Sequence, residues 1–374
     1  MATLEISIFD TTFTRIAIMD DFSYFGYTRN FRKPDSFELR INRHKANAEY
    51  LAIGNYLVIF KFGEYRIWKI GCMEIELTDG KGSEQWIVKG RSLAGVFENR
   101  LCLNKIVDTS SGGYDEYTGS VESAMKYFVN AEVVNPTDTN RTIPNYTIAT
   151  DLDRGEEITV SGRLQPLSDL LEDISYLGGI GYYVYFDIDT LKFVFEINIG
   201  IDRSVDNGVN TPVLFSPNFD NIQRLYYKNS NLCIKNFAVV GGTGDGKDRN
   251  FEYVGTRTGF DRREVFVDAR NLETSQGLID KGTSYLAEYA EELIMEFQHT
   301  QVGSFEYGVD FDLGDIVTVI YPGIVEMDTR IIKIDEHYMH ESGWQYFFTV
   351  GSEFPDLINI LNKMNKNTDP ETRR

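Results

Sequence analysis

Phe37-Glu38-Leu39-Arg40-Ile41-Asn42 alternates apolar and polar side chains at every step. Successive side chains of a strand point to opposite faces, so a two-residue period marks a strand with one face buried and one in water. The reading extends outward from this stretch. Tyr56 to Phe62 is an apolar run closed by a turn at Gly63-Glu64, and the chain resumes at Tyr65. Met73, Ile75 and Leu77 alternate with Glu74 and Glu76, and Asp79-Gly80-Lys81-Gly82 then turns the chain into Trp86-Ile87-Val88. Consecutive strands joined by tight turns predict a small antiparallel barrel or sandwich over 1–103. A short helix is expected after it, with Ser92 as N-cap and Leu93, Val96 and Phe97 inward.

The texture changes near Asn104. Asp108 to Gly119 is rich in Thr, Ser, Gly and Asp and reads as a loop. Ser120 opens a helix with Val121, Ala124, Met125 and Phe128 on one face, and a second loop covers Asn135 to Asn145. The clearest helix carries Pro166 in its first turn, a stripe of Leu167, Leu170, Leu171, Ile174 and Leu177, and a Gly178-Gly179 stop. It leads into Tyr182 to Phe186 and Phe193 to Phe195, two strands around a turn at Asp187 to Thr190. Residues 104–205 are therefore expected to form an α+β middle domain.

The third region, 206–355, returns to strands at Tyr226-Tyr227, Lys235 to Val240, Phe251 to Val254 and Val265 to Val267. A long helix is predicted over about 274–297 from the spacing of Gly282, Leu286, Tyr289, Leu293 and Phe297. Strands are expected again at Phe305 to Phe311, Ile316 to Tyr321, Thr329 to Ile334 and Trp344 to Val350. Residues 356–374 are expected to give a short helical turn and a frayed tail. The whole reads as mainly β with α+β insertions, two small barrels flanking a mixed middle region.

At 374 residues the chain is long enough for two or three domains. Its 22 Tyr and 25 Phe suit half-buried strand positions. The formal charge of −20 argues against gripping nucleic acid, which needs a cationic surface. It fits both a surface past which DNA slides and a surface that is merely soluble. Cys72, Cys102 and Cys233 are odd in number and widely spaced, which points to reduced thiols and folding in a cytoplasm. No window has the length and apolarity of a membrane span, so no stable membrane association is expected.

Four constellations resemble chemistry. Gly241-Gly242-Thr243-Gly244-Asp245-Gly246-Lys247 fits GxxxxGK, but Asp248 stands where a phosphate loop needs Ser or Thr, and Arg249 to Val254 continues as a strand. A hairpin tip is the better reading. His337-Tyr338-Met339-His340-Glu341 matches neither HExxH nor HxxEH, and reads as two surface histidines. With four His in all (His44, His299, His337, His340), zinc or histidine acid–base chemistry has little material. Asp151/Asp153 with Glu156/Glu157, and Asp187/Asp189, sit in turn-like stretches that favour Asp anyway. No catalytic, metal-binding or cofactor-binding residue is assigned, and the chain is not expected to be an enzyme.

Several segments, in order, resemble the tail-tip or baseplate hub proteins of long-tailed bacteriophages. They are Asn30 to Leu39, Gly90-Arg91-Ser92-Leu93, the Gly241 to Arg249 loop, Phe311 to Val317, and Thr329-Arg330-Ile331. The resemblance implies a homotrimer with two tube-like barrels per subunit, forming a pseudo-sixfold ring around a channel. It implies contacts with a distal tail protein ring, the tape-measure protein and tail fibre or receptor-binding proteins, with DNA only in transit. It places the protein in the virion at the tail tip, and in the host cytoplasm during assembly. The aromatic richness also suits a receptor- or carbohydrate-binding tail module, and dispersed carboxylates leave open a cell-wall hydrolase.

Overall fold

The computed structural model describes residues 4–77, 79–103, 115–232, 234–270, 272–289, 292–300 and 305–351. The first seven strands are β1 (Ile6–Phe9), β2 (Arg15–Met19), β3 (Tyr24–Asn30), β4 (Ser36–Asn42), β5 (Tyr56–Lys61), β6 (Glu64–Leu77) and β7 (Glu84–Ser92). Phe37, Leu39 and Ile41 of β4 are buried and their neighbours are not, as the alternation requires. The 14-residue β6 pairs first with β5 and then with β7, with a bulge between Ile70 and Cys72 where it bends. Bulges of this kind let one strand serve two faces of a curled sheet. A 3₁₀ helix over Leu93–Asn99 follows, with Phe97 buried and Leu93 and Val96 packed against the same core. Ser92 does not cap it; its hydroxyl accepts from the backbone N–H of Asp35 at 3.1 Å instead.

The middle of the chain comprises β8 (Asp115–Ser120), α1 (Val121–Val129), β9 (Tyr146–Ile148), β10 (Glu157–Gly162), α2 (Leu167–Gly178), β11 (Gly181–Asp187) and β12 (Lys192–Asn198). Asp115 to Gly119, read as loop, pairs with β10 instead. Ser120 caps α1 by accepting from Ser123 N–H, and Gly179, at φ 65°, ends α2. Both helices bury their apolar stripes in one core with Phe97, Tyr182 and Phe195. That core also takes Phe9, Val58 and Ile67 from the first sheet.

The rest is β13 (Asp202–Arg203), β14 (Leu214–Phe215), β15 (Ile222–Ser230), β16 (Phe237–Gly241), β17 (Phe251–Val254), β18 (Glu264–Asp268), α3 (Ser275–Glu288), β19 (Glu292–His299), β20 (Ile316–Tyr321), β21 (Val325–Met339) and β22 (Gly343–Gly351). Two expectations fail here. The long helix stops at Glu288, and residues 292–299 form β19, laddered between β15 and β22. Leu293 and Phe297 lie four apart, a spacing that satisfies both periods; pairing with β15 and β22, which buries Met295 and Phe297 and leaves Glu296 between them exposed, decides for the strand. Phe305 to Phe311 is a turn rather than a strand. Gly308, at φ 83°, donates its N–H to Phe311 O, while Tyr307 and Phe311 bury their rings. The expected final helix over 356–374 lies outside the described residues.

Among the described residues, fourteen strands form one mixed sheet in the order β15-β19-β22-β21-β3-β4-β7-β6-β5-β1-β2, with β20 on β21 and β13 and β14 on β20. The two expected barrels do not close. A strand has two edges, and those of β3 are taken by β4 and β21, leaving none to return to β2. Each terminal region is therefore a curled, open sheet around its own core: Phe25, Leu39, Ile59 and Trp68 in the first, Phe215, Phe297, Val319 and Phe348 in the second. Smaller sheets of β8–β10, β9–β12–β11 and β17–β16–β18 cover the middle, with α3 packed on the last of these.

Candidate functional site

The β3–β21 ladder joins the two terminal sheets, and its register sets Glu336 opposite Tyr27. Phe25 and Tyr338, one step along the same face, belong to the first apolar core, and Ile334 on the other side belongs to the second. Between them lies a polar layer. The Glu336 carboxylate is fully buried and accepts from Tyr27 Oη at 2.6 Å, Tyr307 Oη at 2.6 Å, Arg66 Nη1 at 2.9 Å and Lys61 Nζ. Lys61 Nζ in turn sits 3.3 Å from the ring centroid of Trp344 and 4.5 Å from that of Tyr346. Arg29 donates to Tyr307 Oη at 2.8 Å and to Asp312. Burial by itself would raise the Glu336 carboxyl, but Arg66, Lys61 and Arg29 outweigh it and hold the group at about 2. Burial pushes the Tyr27 and Tyr307 hydroxyls well above their usual range, so both remain protonated donors.

Beside this layer opens a cleft of about 360 Å³. Its walls are the β5–β6 hairpin, the outer face of β11 and the loop before β20. Asp35 accepts from Asn30 N–H at 2.8 Å, and Ser92 N–H donates to Asp35 O. Asp315 accepts from Ile201 N–H at 2.7 Å and Arg203 Nε at 3.0 Å. Three stretches that carry the family resemblance, around Asn30 to Leu39, Ser92 and Phe311 to Val317, thus converge on one cleft. Burial pushes the Asp35 carboxyl up to about 6.

The residues that looked chemical are placed elsewhere. Gly241 to Lys247 is the β16–β17 hairpin tip, and it is filled from within: Arg249 donates to Gly241 O, Gly242 O and Asp268. Carbonyls converge there, and the N–H groups of Gly242 and Asn250 are spent across the hairpin, the reverse of an anion cradle. His337 is half-buried between the Tyr24 and Phe347 rings, whereas His340 is exposed near Phe22, so only one of the pair is a surface histidine. Asp151 accepts from Ser123 Oγ, and Asp187 accepts from Thr190 Oγ1 and the N–H groups of Asp189 and Thr190. Asp187 is a turn cap and Asp151 anchors the start of α1. Among the described residues, no three His, Cys, Asp or Glu side chains gather closely enough to hold a metal ion. Cys72 and Cys102 are free thiols, and no helix of the described residues is long and apolar enough to cross a membrane.

The sequence profile of the Siphovirus ReqiPepy6 Gp37-like protein family matches residues 5–352. The chain belongs to this family. No curated protein matches it in sequence. Among solved structures, this Gp37-like chain is similar to the 43 kDa tail protein of prophage MuSo2 from Shewanella oneidensis, at 14% identity and a TM-score of 0.58, over 93% of this chain and 98% of that one. It is similar to the tail protein from Neisseria meningitidis MC58, at 14% identity and TM-score 0.54, over 93% and 96% of the two chains. Prophage tail protein gp18 from Listeria monocytogenes EGD-e gives 13% identity and TM-score 0.53, over 97% and 99%. At such identities the likeness is one of fold, and it runs nearly end to end.

The Glu336 layer was not among the constellations picked out from the sequence, where His337 and His340 just after it are the more conspicuous residues. A signal was present. Ile334, Glu336 and Tyr338 share one phase of a strand, so an acid stands in an apolar register and needs buried cations. Nothing in sequence spacing names those cations, since Arg29, Lys61 and Arg66 arrive from strands some 270–310 positions away.

Proposed function

We propose that this chain is a structural subunit of a siphovirus tail tip, and that three copies form a hub ring joining the distal tail ring and tape-measure protein to tip or fibre proteins. The observation that carries the reading is the continuous sheet through β3 and β21, which joins the two terminal sheets by backbone hydrogen bonds. Three such chains bring six similar sheets around an axis, matching a sixfold tube with a threefold ring. The outer edges of β2 and β15 carry no partner strand among the described residues, and unpaired edges of this kind are rows of donors and acceptors for a neighbouring copy. Family membership and the fold of prophage tail proteins support a place in the virion tail. A charge of −20 suits a channel wall that DNA passes without sticking. The role needs no catalysis.

Size-exclusion chromatography with light scattering tests this. The expected mass is that of three 42.8 kDa chains, and the oligomer is expected to bind the distal tail ring of the same virion. A protein that stays monomeric at all concentrations and ignores tail components contradicts it.

A further inference from the structure

The cleft beside the polar layer has features that ring assembly does not require. Tyr183 and Tyr185 are alternate residues on the outward face of β11, with ring centroids 6.1 Å apart, and both are exposed. Tyr65 reaches the same cleft from β6 and is also exposed. Two exposed rings on one strand face, inclined to each other by 37°, and a third on the wall of the same cleft offer three apolar faces to one ligand. Tyrosine suits such walls because it combines a flat apolar body with a polar tip.

Charge narrows the ligand. The guanidinium groups in the cleft are already committed, Arg29 to Asp312 and Arg66 to Glu336. Glu64, at the mouth, has no side-chain hydrogen bond or ion pair among the described residues, and Asp35 adds a second carboxylate without a cation partner, whereas Asp315 is paired with Arg203. An anionic polymer would meet uncompensated negative charge here. A ligand rich in hydroxyl donors would not, since carboxylates accept up to four hydrogen bonds each. A peptide adding to the edge of β11 is disfavoured, because Tyr182 N–H at the start of that edge already donates to Phe31 O. The volume of about 360 Å³ is at the lower end of the roughly 300–1,000 Å³ typical of small-ligand sites.

We infer that this cleft binds a neutral oligosaccharide, with sugar faces stacked on Tyr183, Tyr185 and Tyr65 and sugar hydroxyls donated to Glu64 and Asp35. Each chain holds a complete cleft, so the inference does not rest on the hub ring, and failure of one leaves the other standing.

The test is calorimetric titration of the full chain with triacetylchitotriose, cellotriose and maltotriose, with polyglycerol phosphate as an anionic probe. Saturable one-site binding of at least one neutral trisaccharide is expected, with none for the polyanion. Tyr183→Ala and Tyr65→Ala should each weaken it about tenfold, the loss of roughly one ring contact. Tyr253→Ala, an exposed tyrosine on β17 outside the cleft, should leave it unchanged. The melting temperature of each variant checks folding, and the tyrosines chosen are exposed, so it should stay near that of the parent. The inference is overturned if no trisaccharide binds saturably, if a folded Tyr183→Ala binds as the parent does, or if the polyanion binds better.

Discussion

Glu336 stands where an isolated charge could not persist, and its stability rests on the three cations and two hydroxyls around it. Neutralising one member of such a group leaves the others buried without compensation, which typically costs about 3–5 kcal/mol. Glu336→Gln should lower stability by that order in urea unfolding; a loss below about 1 kcal/mol would mean that the layer does not hold the two sheets together. The carboxyl is held at about 2 in the fold against 4.5 when free. Its contribution is therefore present above pH 4.5 and lost as pH falls from there toward 2. Glu336→Gln should erase that acid limb. Asp35 has the opposite sign. Its carboxyl is raised from 3.8 to about 6, so its contribution is favourable below pH 3.8 and lost as pH rises through 6. Asp35→Asn should thus be more stable than the parent at pH 7.5, by about 1–2 kcal/mol in urea unfolding after allowance for partial solvent contact, with no gain near pH 3.5. An equal effect at both pH values would contradict the assignment. The apolar register of Glu336 was readable in the sequence, but the cations that pair with it and the burial that raises Asp35 depend on packing that local spacing does not name.

At the scale of elements, strands and caps were legible where a local rule decided them. The β4 alternation, the Ser120 cap and the Gly179 stop each act within a few residues. The errors came where two local rules agreed on different answers. Residues 292–299 satisfy a helical spacing and a strand spacing at once, and the ladder with β15 and β22 settles it. Phe305 to Phe311 is aromatic enough for a strand, but Gly308 turns it so that two rings enter the core. The β6 bulge was likewise invisible, and it sets a sharp requirement. A Cβ on Gly90 would lie 1.9 Å from Lys69 O and 2.6 Å from the Phe37 ring, whereas one on Gly71 meets nothing within 4 Å. Gly90→Ala should cost about 2–3 kcal/mol in chemical denaturation. Gly71→Ala should stay within about 1 kcal/mol of the parent. Equal effects at the two positions would argue against the bulge that aligns β6 with β7.

At the scale of the molecule, the mainly β class with helical insertions was readable from periodicity. Closure was not readable. Whether a curled sheet becomes a barrel depends on which strand occupies its last edge, and β21 reaches β3 from some 300 residues away. That long-range pairing replaces two closed tubes with one open, continuous sheet, and leaves β2 and β15 as its outer edges. The proposed ring rests on those edges: in it, chains would meet where a strand lacks a neighbour, with the Glu336 layer lying between the two sheets of each chain. Electron microscopy of the purified full chain, averaged without imposed symmetry, tests this most directly. The account predicts a threefold ring of six lobes around a central channel. Single two-lobed particles with no rotational order, at concentrations well above those of assembly, would contradict it.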